Sequence, residues 1–425
     1  MQRLIFHIDV NSAFLSWEAA ERVRRGEPDI RLIPSAIGGD PMQRTGIILA
    51  KSIPAKKFGV KTGEPIGSAL RKCPQLYIAK PDFSLYIRNS EAFMNICREY
   101  TPTVEKFSID ECFLDMTGME RVYPDPIATA HEIKDRIKRE LGFTVNVGVG
   151  NNKFLAKMAS DFEKPDKVHT LFSNEIEQKM WGLPVSELFG VGKATAEKLR
   201  RHYIMTIGEL ANSDLDYIRR IIGSKAGIQL HGYANGIDRS PVAPIRDEAK
   251  SYSNSTTTSE DVTSMYAARA ILLALTDSTS ARMRHDGKKT ACISVTMRDG
   301  TFANKSHQRK LDIPTDVTTE IFAVAAELFE EMWDEETPLR LLGVALTELT
   351  DSSNGQLSFF TEQDPKRERD RKVDKTVDYI RTKFGSSAIT RGSICGKSDN
   401  IGKKHKAQMD SVNHEGYEQE ARQNE

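Results

Sequence analysis

Three acidic residues stand where the sequence otherwise asks for burial. Asp9 ends the apolar run Leu4-Ile5-Phe6-His7-Ile8-Asp9-Val10, and Asp110 and Glu111 interrupt Phe107-Ser108-Ile109-Asp110-Glu111-Cys112-Phe113-Leu114. Phe107, Ile109, Phe113 and Leu114 want a core, and an unpaired carboxylate inside one is costly. Carboxylates converging from neighbouring strands stay ionised when divalent cations lie between them. Hard oxygen donors, with no His or Cys counted in the set, suit Mg²⁺ or Mn²⁺. Two such ions about 3.5–4 Å apart form the clamp used in phosphoryl and nucleotidyl transfer. The plainer reading has Asp110 capping a turn and Glu111 in solvent. Asp115 is left on that plainer side.

The elements expected to position these groups alternate in type. Residues 4–10 read as a strand, followed by a helix with Ala13, Phe14, Trp17 and Ala20 on its apolar face and Asn11 or Ser12 as its cap. Short β-prone pieces near 32–33 and 46–50 precede a basic, helix-like stretch at 51–58 that stops at Gly59. A helix over 90–100, a hairpin around Asp110, a helix over 127–141 and a strand over 143–149 complete an α/β or α+β sheet domain. From about residue 167 to Asp238 the texture changes to short helices broken by glycines, including Gly190-Val191-Gly192-Lys193. A linker, Arg239-Ser240-Pro241-Val242-Ala243-Pro244, leads to a unit over about 246–350. That unit reads helix (265–283), strand (289–298), strand (305–311), helix (318–333), strand (340–346). Arg282, Arg284, Lys288, Lys289, Arg298, Lys305, Arg309 and Lys310 promise a basic face there, and Glu327, Glu330, Glu331, Asp334, Glu335 and Glu336 an acidic, solvent-facing helix. A polar linker holding Gln356-Leu357-Ser358-Phe359-Phe360, a charged helix over 366–384 and a disordered end from about 396 follow.

Composition narrows the class without naming it. The chain has 425 residues, 39% of them hydrophobic, room for several domains. Lys plus Arg and Asp plus Glu number 60 each, so any affinity for a polyanion must come from local segregation of charge. Five cysteines without a CxxC pair argue against a zinc site or a disulfide scaffold. Nothing reads as a signal peptide or a membrane span, so a cytoplasmic protein is expected. Lys153 and Lys157 share a helical face, and Lys51, Lys56 and Lys57 form a second basic group, the kind of charge phosphate chemistry needs.

Four motifs in order, His7-Ile8-Asp9-Val10-Asn11-Ser12-Ala13-Phe14, Pro54-Ala55-Lys56-Lys57-Phe58-Gly59-Val60, Ser108-Ile109-Asp110-Glu111 and Phe154-Leu155-Ala156-Lys157-Met158-Ala159-Ser160-Asp161, together resemble the Y-family DNA polymerases. Within that family the match is to the DinB-like, DNA polymerase IV branch, and it spans residues 1 to about 350. The resemblance implies an α+β multidomain, right-hand polymerase. Its palm sheet would come from 1–10 and 76–166, small fingers from 11–75 and a helical, helix-hairpin-helix thumb from 167–238. A linker (239–245), an α/β little finger (246–350) and a tail (351–425) would follow. It implies template-directed, low-fidelity synthesis past damaged template during DNA repair. Asp9, Asp110, Glu111 and the Val10 carbonyl would hold two Mg²⁺ ions, with Mn²⁺ able to substitute. Phe14 would be the steric gate against ribose; core filling is its plainer role. Lys157 and Lys56 would bind the triphosphate, and Ile47 and Leu49 would roof the nascent pair. Ile53 and Lys56 depart from the Tyr and Arg often found there, and Lys56 offers a point charge without a bidentate fork.

The same resemblance assigns DNA phosphate binding to Gly190, Gly192 and Lys193 and clamp binding to Gln356, Leu357, Phe359 and Phe360. Expected partners are primer-template DNA, deoxynucleoside triphosphates and a sliding clamp, with no membrane. The chain would act as a monomer in the cytoplasm, nucleoid-associated when on DNA. Two other readings are a cyclase-type nucleotidyl transferase and a DNA- and clamp-binding scaffold with a decayed site. The first has no use for the helix-hairpin-helix or the clamp peptide, and intact Asp9, Asp110, Glu111 and Lys157 speak against the second.

Overall fold

The computed structural model describes residues 3–39, 46–244, 248–351 and 365–392. These fall into two compact units, one ending near residue 246 and one beginning there. The first unit opens with β1 (Ile5–Val10), α1 (Ala13–Arg24), β2 (Ser35–Gly38), β3 (Ile48–Lys51), α2 (Ile53–Lys57), α3 (Ile66–Lys72), β4 (Tyr77–Ala79) and α4 (Phe83–Arg98). It continues through β5 (Val104–Lys106), β6 (Glu111–Asp115), α5 (Pro126–Leu141), β7 (Val145–Gly150), α6 (Lys153–Asp161) and β8 (Val168–Leu171). Short helices finish it: α7 (Ile176–Lys179), α8 (Lys193–Arg201), α9 (Ile207–Ala211), α10 (Leu215–Ile222) and α11 (Ser224–Ala234).

The main sheet runs β5-β6-β1-β7-β8, with β1 antiparallel to both β6 and β7. Every residue of β1 and β7 is buried, as a central strand covered on both faces requires. Phe6, Ile8, Val145 and Val147 pack with Trp17, Phe93, Ile133 and Phe143 in one core. Helix α1, expected with the fingers, thus lays Leu15 and Trp17 into the core of this sheet. A smaller sheet, β3-β2-β4, has its own core of Ile48, Ala55, Val60, Ile66 and Leu76.

Two local expectations need correction. Neither Asn11 nor Ser12 caps α1 through its side chain. Ser12 takes a left-handed φ of 49° and makes no capping bond. The Asn11 amide instead donates to Asn146 Oδ1 at 3.0 Å, and its Oδ1 accepts from the Asp166 N–H at 2.9 Å, tying β1 to β7 and the turn after α6. Phe107, expected in the core, is 40% exposed and leans on Phe113 at 5.3 Å between ring centroids, because it lies on the turn outside the β5–β6 ladder.

The second unit contains β9 (Tyr252–Val262), α12 (Met265–His285), β10 (Lys288–Asp299), β11 (Asn304–Thr315), α13 (Thr318–Glu330), β12 (Leu339–Asp351) and α14 (Pro365–Phe384). Its sheet is antiparallel, ordered β11-β10-β12-β9. Strand β9 carried no sequence signal, since only Tyr252, Thr256 and Val262 of its eleven residues are buried. The basic and acidic faces are not segregated either. Helix α13 packs on β10 and β11, and Arg309 reaches Glu331 at 2.6 Å and also Glu327. Arg284 is buried, and Lys288 pairs with Asp351 at 2.6 Å.

Helix α14, expected in a tail, is held to this unit by charge. Asp277 on α12 meets Arg381 at 2.7 Å and Arg391 at 2.9 Å. Asp374 pairs with Arg391 and Arg284 and accepts the first N–H of α13, from Thr318, at 2.7 Å. No helix among the described residues is long and apolar enough to cross a membrane.

Burial pushes the Asp277 carboxyl up, but the two guanidinium groups outweigh it and hold it below the usual range. A depressed carboxylate stabilises the fold fully above its unfolded pKa of about 3.9 and ceases to do so as the pH falls through the lower folded value. Removing one partner of a buried pair costs about 3–5 kcal/mol. Asp277→Asn is therefore expected to lower the denaturant midpoint of this unit at pH 7, and the difference from the parent is expected to shrink as the pH falls below about 3.9. Equal midpoints at pH 7 would show that the network contributes nothing.

Candidate active site

Strand register brings the first two carboxylates together. Asp9 is the direct partner of Glu111 across β1 and β6, and the Val10 N–H donates to the Asp110 carbonyl at 3.0 Å. Asp115 pairs with Ile5 at the far end of the same ladder and caps the turn at Thr117, away from the site.

The third component arrives on α6. Asn152 caps this helix at the Leu155 N–H, 2.8 Å away. The helix lies so close to β7 that a Cβ on Gly148 would sit 2.0 Å from the Ala156 carbonyl oxygen. Glycine is what permits that approach. The next residue, Lys157, then places its Nζ 2.9 Å from Glu111 Oε1, 3.4 Å from Asp9 Oδ2 and 3.3 Å from Asp161. Lys153, on the same helical face in the sequence, goes elsewhere: it pairs with Glu105 at 2.6 Å.

Two participants escaped the sequence reading. Lys164 Nζ lies 3.0 Å from Asp9 Oδ2 and 2.8 Å from Asp161. It follows the end of α6, so no helical period marks it. His7 is fully buried, with Nδ1 2.8 Å from Ser160 Oγ and Nε2 3.6 Å from Glu111 Oε2, beyond hydrogen-bond reach. Burial lowers its pKa to about 4, so it is neutral near pH 7.

Electrostatics divides the carboxylate pair. Burial raises the Asp9 carboxyl above its ordinary value, with Lys164 and Lys157 opposing part of the rise. Burial also pushes Glu111 up, but the Lys157 ammonium 2.9 Å away opposes it, and the balance holds this carboxyl well below the usual range. Lys157 loses charge stability by burial and regains more from Asp9, Glu111 and Asp161, so it remains an ammonium.

Asp9, Val10, Ser12, Ala13, Phe14, Leu49, Ala50, Lys51, Thr62 and Asp110 line one cleft of about 230 Å³. Phe14 stacks on Tyr86 at 4.6 Å while facing this cleft, so its packing role and its place at the site coexist. Asp110 Oδ1 accepts the Ser108 hydroxyl at 2.6 Å, the turn contact of the plainer reading, yet the residue still borders the cleft.

The other candidates do not border this cleft. Glu111, Lys157, Lys56 and Ile47 are not among the lining residues. Lys56 is exposed on α2, and Ile47 is 43% exposed and bridges to Pro65. Gly190, with a φ of 91°, Gly192 at the start of α8 and Lys193 are exposed among the short helices. Gln356, Leu357, Phe359 and Phe360 lie outside the described residues.

Among the described residues no group of three or more His, Cys, Asp or Glu side chains is arranged to hold a metal ion as it stands. Asp110 is turned to Ser108, and Glu111 to Lys157. The donor chemistry nevertheless fits a hard divalent cation. Two carboxylates border an open cleft, a third adjoins them, and ammonium groups balance their charge.

The chain is similar to known proteins along most of its length. The impB/mucB/samB family model matches residues 8–161, the DNA polymerase-iota thumb domain model 186–238, and the impB/mucB/samB C-terminal domain model 249–359. A DNA polymerase IV of Clostridium acetobutylicum is 47% identical over 409 residues, covering 94% of this chain and 100% of its own. DNA polymerase IV 1 of Bacillus subtilis is 36% identical over 401 residues, covering 93% and 94%. A solved Y-family DNA polymerase chimera matches in fold with a TM-score of 0.72 at 22% identity, over 82% of this chain and 99% of its own. Similarity of this extent, along the whole of the curated relatives and through palm, thumb and little-finger models in order, means that the chain belongs to the Y-family DNA polymerases.

Proposed function

We propose that this DNA-directed DNA polymerase adds deoxynucleotides by two-metal nucleotidyl transfer and works in low-fidelity synthesis past damaged template during repair. The observation that carries the mechanism is the joining of Asp9, Val10, Asp110 and Phe14 in one cleft, with Lys157 and Lys164 beside Asp9. Asp9, Asp110, Glu111 and the Val10 carbonyl would hold two Mg²⁺ ions, or Mn²⁺; when bound, these lower the pKa of a primer 3′-OH and neutralise charge on the triphosphate.

The chain's own groups do the rest. Glu111 is kept ionised by Lys157 and is fixed in register against Asp9. A triphosphate docked at these carboxylates meets the ammonium groups of Lys157 and Lys164, whose charge supports departure of pyrophosphate. The Phe14 ring closes the wall of the cleft where a sugar would lie, leaving no room for a 2′-OH. Leu49, with Ile47 beyond it, covers the nascent pair. Backbone N–H groups at Gly190, Gly192 and Lys193 bind DNA phosphate at the start of α8 without reading sequence. Residues 1–10 and 76–166, together with α1, make the palm, most of 11–75 the fingers, 167–238 the thumb and 246–350 the little finger, with α14 added to the last. Gln356, Leu357, Phe359 and Phe360 supply the sliding-clamp contact, and the chain works as a monomer.

Primer extension with Mg²⁺ and deoxynucleotides tests the reading. Glu111→Gln or Asp110→Asn is expected to reduce incorporation at least about 1,000-fold, the scale on which lost transition-state stabilisation acts, with the melting temperature nearly unchanged for Asp110→Asn and lowered for Glu111→Gln, which loses its ion pair with Lys157 but stays folded. Substantial remaining synthesis would remove these carboxylates from the chemistry. Phe14→Val is expected to raise ribonucleotide incorporation relative to deoxyribonucleotide; unaltered discrimination would leave Phe14 as core packing alone. Deleting residues 356–360 should abolish clamp-stimulated synthesis and spare distributive synthesis, and an equal loss of both would refute the clamp assignment.

A further inference from the structure

Strand β3 ends in a cation that the family pattern leaves unassigned. Its burial alternates: Ile48 and Ala50 are buried in cores, whereas Leu49 and Lys51 are half-buried; Leu49, Ala50 and Lys51 all line the cleft, and Lys51 is the cation among them. The position is rigidly held. Lys51 is in register with Ala36 of β2, and the next residue, Ser52, donates its N–H to Ser35 O at 2.9 Å and caps α2 through its hydroxyl. Lys157 and Lys164 are committed to carboxylates, but Lys51 Nζ hydrogen bonds to a neutral hydroxyl, Thr62 Oγ1, at 3.1 Å.

Lys56, the fingers lysine expected to meet the triphosphate, is exposed on α2 and does not line the cleft, and Ile53 beside it is 55% exposed. Resting on the polymerase reading, we infer that Lys51 is the fingers residue that binds the phosphates of the incoming deoxynucleoside triphosphate, with Thr62 positioning its ammonium group. Two residues along a strand span about 6.6 Å. Leu49 and Lys51 therefore contact different ends of one nucleotide, the first its base and the second its phosphates. Burial lowers the Lys51 pKa, and the positive charge of Lys56 lowers it further while Glu64 opposes the shift. A polyanion entering the cleft favours the charged form of Lys51.

The test separates nucleotide binding from chemistry. The Kd of a deoxynucleoside triphosphate is measured on the full chain bound to a primer-template with a dideoxy-terminated primer, alongside the Kd of that DNA. Lys51→Ala is expected to weaken nucleotide binding about tenfold, the worth of a charge-assisted hydrogen bond, and to leave DNA affinity in place. Lys51→Arg should restore most of the loss. Lys57→Ala, which removes an equal charge from exposed α2, should weaken nucleotide binding far less. An unchanged nucleotide Kd for Lys51→Ala overturns the assignment, as does a loss confined to DNA affinity or an equal loss in Lys57→Ala. Extension of an ordinary primer by the parent chain reports separately on the polymerase reading, so either can fail without the other.

Discussion

The approach of α6 to β7 governs the carboxylate cluster of this molecule. Only because Gly148 has no side chain can the Ala156 backbone lie against the strand, and Lys157 then reaches both Asp9 and Glu111. Without those ammonium groups the sheet would bury two adjacent carboxylates, which repel each other and cannot both remain charged at low cost. With them, the centre of the sheet carries a cluster in which Lys157 and Lys164 offset most of the charge of Asp9, Glu111 and Asp161. The same arrangement keeps Glu111 ionised.

That cluster sits at the junction of two differently built layers. The strands behind it are buried on both faces and pack Ile8, Val145 and Val147 into the apolar core. The wall in front is thinner: Phe14, stacked on Tyr86, and the half-buried face of β3. The main sheet thus holds the charged groups, while Phe14 and Leu49, packed against the same core, shape the space before them.

The second unit uses charge differently. Asp277, Asp374, Arg284, Arg381 and Arg391 lie largely out of water between α12, α13 and α14, each satisfied by more than one partner. Their directionality fixes where α14 rests, which an apolar contact would leave free to slide. Meanwhile Arg309 spends its charge on Glu327 and Glu331 of α13, so a count of basic residues along the strands overstates the surface open to a polyanion.

Much of this was legible in the linear chain. Apolar runs of β1, β6 and β7 announce buried strands, and carboxylates at their ends signal a site because nothing else tolerates them there. Four ordered motifs point to the family. Local pattern failed where contacts are long-range. Strand β9 is polar, and only pairing with β12 makes it a strand. Lys164 and His7 join the cluster from a turn and from the buried face of β1, and neither position carries a periodic mark. Phe107 looked like core and lies half outside it. Residue type and spacing determined which groups could do the chemistry, because the cost of burying charge is a property of the side chain. Which of them meet, and which lysine faces the cleft, was decided by the tertiary structure, because distances of about 3 Å between residues over a hundred positions apart are set by packing alone.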